Sequence, residues 1–129
     1  MSTGLENLKI YKLASELELA VFNLTKKFPR DEKYRSVDQL SRSSSSVSNN
    51  IAESYHKRSL KEKVRILNDI VKGEAEETRK NLEMCFKKGF HYDSDISNKY
   101  LDLLKMISGY IRFIKKGELK NLSTKKLIN

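Results

Sequence analysis

Two histidines, one cysteine and a scatter of carboxylates are the residues in this chain that can do chemistry. Glu53-Ser54-Tyr55-His56 has the Glu-x-x-His spacing used by carboxylate-bridged di-metal bundles. Such a centre also draws on a second copy of the motif and on two more glutamates from facing helices. The other histidine, His91, lies in an apparent loop with no glutamate three residues before it, so no metal site is expected. Glu53, Glu74 and Glu77 are candidates for shared acid–base work. The preferred reading is that they are solvated, or tie helix to helix through Arg42 and Arg79, since a guanidinium holds a carboxylate bidentately. Ser46 has no histidine placed to activate it and no strand–turn–helix elbow, and reads as a small packing residue. Cys85 falls on an apolar stripe and reads as a buried thiol. As the only cysteine it forms no internal disulfide, which fits a reducing cytoplasm. No cofactor and no catalytic activity are expected, because no constellation meets the geometric minimum of an active site.

Charge is the stronger signal. Twenty-six lysines and arginines against 17 aspartates and glutamates leave a net charge of +9, with an isoelectric point near 9.6. A surface of that sign attracts polyanions, and nucleic acid is the most abundant one in a cytoplasm. Lys57, Arg58, Lys61, Lys63 and Arg65 surround a helix start with only Glu62 opposing them, and a helix N-terminus already presents free backbone donors to anions. Arg112, Lys115, Lys116, Lys120, Lys125 and Lys126 form a second basic zone, opposed only by Glu118. Lys26, Lys27 and Arg30 form a third. Each cluster can also be a merely solubilising face. Several fall near helix ends, where oligomerisation can gather them into one positive ring for a phosphate backbone. Most aromatic residues sit on apolar stripes, so platforms for stacking single-stranded bases are expected to be sparse, and contacts to be with the backbone, with little sequence preference.

The elements that position these residues follow from hydrophobic spacing. With 129 residues, 38% hydrophobic and 33% charged, the chain suits one domain built from helices with a wet and a dry face. No apolar run is long enough to span a membrane, and the first residues lack the pattern of a secretory signal. Ile10, Leu13, Leu17, Val21, Leu24 and Phe28 predict a first helix over residues 6–28, stopped by Pro29. Val37, Leu40, Ser44, Val47, Ile51 and Tyr55 recur at steps of three and four and predict a second, from Asp31 to Tyr55 or His56. It passes through Ser43 to Ser46, which weaken a helix locally because their hydroxyls compete for backbone groups. The same small side chains permit a close approach of neighbouring helices. Ser59-Leu60-Lys61-Glu62 reads as a capping box opening a third helix, and Gly89 stands where a left-handed cap ends it. A fourth starts at Asp93 or Ser94 and ends near Gly117. Short connections make neighbours antiparallel. The predicted architecture is all-α, an antiparallel up-down-up-down four-helix bundle over residues 1–117, with a basic, flexible tail over 118–129.

Phe28-Pro29 after an amphipathic helix, the acidic-aromatic opening Glu32-Lys33-Tyr34, Arg42 and Ser46 ahead of Asn50-Ile51-Ala52-Glu53, and Ser59-x-x-Glu62 together resemble the S23-type four-helix bundle family. Its members are small bacterial proteins first noticed as reading frames within intervening sequences of 23S ribosomal RNA genes. The accessory variability proteins of diversity-generating retroelements are related to them. The likeness covers roughly residues 8–116. Gly73 and Glu77 match the family's glycine and glutamate in the third helix. Ser54 stands where the family usually has glycine, and Ser48 where it often has proline. The resemblance implies a homo-oligomer, a pentameric barrel with a central channel, whose basic surface binds nucleic acid without catalysis. In the retroelement branch the partner is a reverse transcriptase with its template RNA. The function expected here is accordingly a non-enzymatic oligomer binding RNA or an RNA–DNA hybrid. The alternative is an interaction scaffold docking an acidic or polymerase partner without touching nucleic acid. Within the motif, Asn50 is expected to fix helix register through a side-chain hydrogen bond.

Overall fold

The apolar stripes become four helical rods. A computed structural model describes the backbone of residues 4–128 and the side chains of residues 4–121, and among these residues there is no strand. A 3₁₀ turn, Gly4–Asn7, precedes the first helix, Lys9–Thr25. The second helix is Ser36–His56. The third rod runs as an α-helical turn Leu60–Arg65, a π-helical stretch Ile66–Val71 and an α-helix Lys72–Lys87. The fourth helix is Asp95–Ile128. Neighbours run antiparallel, because contacting residue numbers move in opposite directions. Ser48 bonds Glu18, while Val37 shares a groove with Thr25 and Lys26. Thr78 meets Ser43, while Lys63 meets Ser54 and Tyr55. Ile10 shares a groove with Met106 and Tyr110, while Phe28 stacks on His91.

The core lies where the spacing places it. Ile10, Leu17, Val21, Leu40, Val47, Ile51, Leu67, Val71, Leu82, Tyr100, Leu103 and Ile107 are buried. The hydroxyl-rich centre of the second helix holds because its buried serines are satisfied. Ser44 donates to the Ser41 carbonyl, Ser48 to the Ser45 carbonyl and the Glu18 carboxylate, and Ser54 to the Ile51 carbonyl. A buried hydroxyl without a partner costs about 1–3 kcal/mol, so these bonds make the segment tolerable as core.

Boundaries depart from the predicted ones for local reasons. After Thr25 the chain tightens, with Phe28 N–H donating to the Thr25 carbonyl, so the first helix ends three residues early. Arg30–Glu32 forms a 3₁₀ turn, not the first turn of the second helix. Arg35 (φ −119°, ψ −104°) breaks the path, and Ser36 restarts it with its hydroxyl on the Glu32 carboxylate at 2.7 Å. In the third rod, the residue added by the π turn lets adjacent Ile66 and Leu67 both point inward. Ser59 accepts the Glu62 N–H at 3.1 Å, but Glu62 turns to Arg65 and does not return to Ser59. Only half of the predicted capping box forms. Gly89, at φ +80°, caps the rod as predicted. Phe90 N–H reaches the Cys85 carbonyl and Gly89 N–H the Phe86 carbonyl, the paired bonds of a Schellman motif. The fourth helix does not end near Gly117. It continues through residues 118–128, where a flexible tail was predicted. One glycine costs about 1 kcal/mol in a helix, and the surrounding lysine, glutamate and leucine are good helix formers.

Candidate nucleic-acid interface

The bundle sorts the basic clusters to its two ends. At one end the second helix passes into the third rod, and the turn Leu60–Arg65 packs against the fourth helix. Tyr55 lies close to Tyr110 there, and Tyr110's phenol is pushed up by burial first and by Tyr55 second. The cluster Lys57 to Arg65 therefore lies at the same end as Arg112, Lys115 and Lys116, which follow Tyr110 on the exposed side of the fourth helix. Lys26, Lys27 and Arg30 lie at the opposite end, where Phe28 packs on Phe90 and His91. Lys125 and Lys126 fall outside the described side chains.

Not every cation in these clusters is free. Lys63 Nζ donates to the Tyr55 carbonyl at 2.7 Å and the Ser54 carbonyl at 3.4 Å, and sits 5.5 Å from the Tyr55 ring centre. It caps the C-terminus of the second helix, so this cation, expected among the phosphate ligands, is already engaged by two carbonyls of its own chain. Lys57 pairs with Glu53 at 3.7 Å and Arg65 with Glu62 at 3.3 Å. Lys26 lies 4.5 Å over the Phe22 ring. Arg58, Lys61, Arg112, Lys115 and Lys116 are exposed, with no ion pair among the described residues. Lys27 and Arg30 are likewise exposed and unpaired at the other end.

The predicted structural motif is divided between the second helix and the third rod, and does not make the predicted bonds. Arg42, Ser46 and Glu77 meet in a polar groove of about 320 Å³ between the second helix and the third rod, together with Gln39, Ser43 and Glu74. Glu74's carboxyl is raised by burial and then by the charge of Glu77. The arginines do not tie helix to helix. Arg42 pairs with Asp38 on its own helix at 3.3 Å, and Arg79 holds Glu76 and Glu83 on its own rod. Spacings of three and four residues bring those carboxylates within reach without ordering a second helix. The bond to Arg79 is also what lowers the Glu76 carboxyl. Asn50 donates to the Ser46 carbonyl at 2.8 Å and the Ser46 hydroxyl at 3.0 Å, again within one helix, so it does not set register between helices. Ile51 is fully buried and Ala52 half-buried, while Glu53 is exposed.

Besides the Lys63 cap, polar links between helices come from residues not singled out. Thr78 donates to Ser43 at 2.7 Å across the interface of the second helix and third rod. Ser48 donates to Glu18 across that of the first and second helices. A threonine or serine on an apolar stripe was the only available signal. Cys85 is buried as predicted, and burial pushes its thiol up. His91 is buried too, with Nε2 on the Leu82 carbonyl at 2.8 Å and Nδ1 accepting the Asp93 N–H at 3.1 Å. A neutral ring donating from Nε2 satisfies both contacts. His56 stands exposed, edge-on to Tyr55. Among the described residues no three histidine, cysteine, aspartate or glutamate side chains gather as a metal site needs. Nor is any helix there long and apolar enough to cross a membrane.

Fold and surface define a helical bundle with a polar, strongly basic exterior. The chain belongs to the 23S rRNA-intervening sequence protein family, whose model matches residues 6–112. It is similar to a crystal structure from Bacteroides thetaiotaomicron VPI-5482, described as a protein with unknown function from the S23 ribosomal protein family. The two share 25% identity with a TM-score of 0.69, over 79% of this chain and 97% of the other. No curated protein matches.

Proposed function

We propose that this chain is a non-enzymatic, self-associating nucleic-acid-binding protein that grips the phosphate backbone of RNA. The observation carrying the reading is the set of exposed, unpaired cations at one end of the bundle: Arg58 and Lys61 at the start of the third rod, and Arg112, Lys115 and Lys116 on the fourth helix. Cations already held by a carboxylate release little on meeting phosphate. Free ones neutralise phosphates and release the counterions condensed on the nucleic acid, so each contact makes affinity fall with salt. Membership of a family named for sequences inside 23S ribosomal RNA genes agrees with an RNA partner.

Self-association has its own support. Leu19 and Phe22 are 60% and 57% exposed. They flank a groove of about 510 Å³ between the first and second helices, floored by Val37 and Ser44. These exposed apolar side chains beside a groove are the feature on which a contact with a second copy is proposed. Light scattering checks it: a particle of 15.0 kDa, the mass of one chain, contradicts it.

The test of function replaces Arg58, Lys61, Arg112 and Lys115 with glutamine. Backbone binding predicts that the slope of log affinity against log salt falls by about 3, at roughly 0.7–0.9 for each phosphate that is no longer neutralised, with helicity unchanged. An unchanged slope rejects this end as the grip.

A further inference from the structure

The opposite end carries a feature that charge counting does not describe. Tyr34 and Tyr92 are the two most exposed large hydrophobic side chains among the described residues, at 84% and 83%. Neither belongs to an apolar stripe. Tyr34 follows the 3₁₀ turn Arg30–Glu32, and Tyr92 sits between the third rod and the fourth helix. These two connections are held together. Phe28 stacks parallel on the His91 ring at 5.9 Å and packs on Phe90 at 5.6 Å. Ser36 reaches the Cys85 thiol, and Glu32 and Lys88 both act on that thiol's charge, so the start of the second helix abuts the end of the third rod. Both tyrosines therefore stand at one end of the bundle, on connections that pack against each other. Tyr92 is steadied by Phe86, 6.5 Å away at 76°, and Tyr34 by Lys33, 5.5 Å from its ring centre.

Lys27, Arg30 and Lys88 are exposed around them without an ion pair. The exposed carboxylates at this end are Asp31, Asp93 and Asp95; Asp93 accepts the Asp95 N–H at 2.8 Å, and Asp95 pairs with Lys99 at 3.3 Å. Arg35 faces the nearly buried Glu32 at 4.0 Å. The balance is positive, with two flat rings projecting through it.

We propose that this end is a binding site for single-stranded nucleic acid, in which Tyr34 and Tyr92 stack on unpaired bases while Lys27, Arg30, Lys33 and Lys88 follow the phosphates. The site rests on the nucleic-acid reading above and narrows it to strands whose bases are free. Phosphate contact alone needs cations and no rings. Rings left in water beside cations match the recurring arrangement of single-strand sites, where every base offers a face regardless of sequence. A duplex hides those faces, so the two ends differ in preference: the distal cations accept any backbone, and the tyrosine end discriminates for open strands.

The experiment compares the full chain with Tyr34→Ala, Tyr92→Ala, Tyr34→Phe and Tyr92→Phe. The probes are a fluorescein-labelled oligoribonucleotide of about 12 residues, the same oligomer as a duplex, and poly-glutamate. Each alanine variant should bind the single strand about tenfold more weakly, bind the duplex as the parent does, and keep its circular dichroism. The phenylalanine variants should bind like the parent. Because the chain has no tryptophan, quenching of tyrosine emission by the single strand should shrink in each alanine variant. The inference is overturned if the alanine variants bind single strands like the parent, or lose single strand and duplex equally. It is also overturned if poly-glutamate binding shows the same dependence on the tyrosines, which makes the end a protein-docking surface. Parent protein that binds neither nucleic acid defeats the proposed function itself. Parent that binds both, with no effect of the tyrosines, defeats only this site.

Discussion

Thr78→Val tests the packing of the hydroxyl-rich second helix against the third rod. Thr78 is fully buried, and its hydroxyl lies 2.7 Å from the Ser43 hydroxyl and 2.8 Å from the Glu74 carbonyl. Valine keeps the shape and the branch at Cβ, so little cavity forms. What disappears is the hydroxyl with its contacts to the Glu74 carbonyl and to Ser43, and the buried Ser43 hydroxyl is left without its partner across the interface. An unsatisfied buried group costs about 1–3 kcal/mol, centred near 1.5. Unfolding entropy near 2.1 cal/mol/K per residue over 129 residues gives about 0.27 kcal/mol/K. The midpoint should then drop by about 5–6 °C. Ser43→Ala alone should be milder, since alanine recovers up to about 0.5 kcal/mol of helix propensity. The double variant should be little worse than Thr78→Val, a coupling of about 1 kcal/mol. Thermal denaturation followed by circular dichroism at fixed protein concentration measures all four. Additive losses, or a Thr78→Val as stable as the parent, would show that the contact holds nothing together.

Three further outcomes are expected. Gly89→Ala forces a side chain into a backbone at φ +80° and should cost about 1–2 kcal/mol in urea denaturation. Lys63→Met removes the donor that caps the second helix. It should lower the midpoint while leaving RNA affinity unchanged, the reverse of Lys61→Gln. Tyr100 is fully buried, and its hydroxyl has no hydrogen-bond partner. Burial, then the Glu18 charge, lift its phenol above the ordinary 10.0. The unfolded chain releases that proton near pH 10 while the folded chain keeps it, so stability is whole below that pH and falls as pH rises past it. Tyr100→Phe should reduce this alkaline loss, leaving the share of Tyr110 and Cys85, and match or exceed the parent's stability at pH 7, as denaturation across pH 8–11 would reveal.

Much of the architecture could be read from spacing. Apolar residues at steps of three and four located all four rods, and Gly89 and Ser59 marked real ends. Sequence pattern failed where identity does not determine geometry. Ile66 and Leu67 both face the core only because a π turn shifts the rod's phase, and adjacent apolar residues fit an ordinary broad stripe equally well. The serines of the second helix are chemically alike, so nothing in their order singled out Ser43 and Ser48 as the ones bonding to other helices. Arg42 and Arg79 seemed free to cross between helices, yet each has a carboxylate three or four residues away, which is entropically easier to reach. The basic clusters were legible as charge. Their partners were not, and Lys63 looks like its neighbours until the turn folds it back. Tyr34 and Tyr92 were not read as stacking groups, because exposure of a loop aromatic depends on how two distant connections meet. Residues 118–128 looked like a tail for want of a packing partner, although their intrinsic helix propensity is good.

A salt titration of the unmodified protein tests the central claim most directly. Binding of a fluorescent RNA is measured by anisotropy from about 50 to 200 mM salt, the range over which phosphate contacts reveal themselves. Log affinity should fall linearly with log salt, with a slope of at least about −3, as several free cations on phosphate require. Affinity indifferent to salt, or no binding at the lowest concentration, would contradict it.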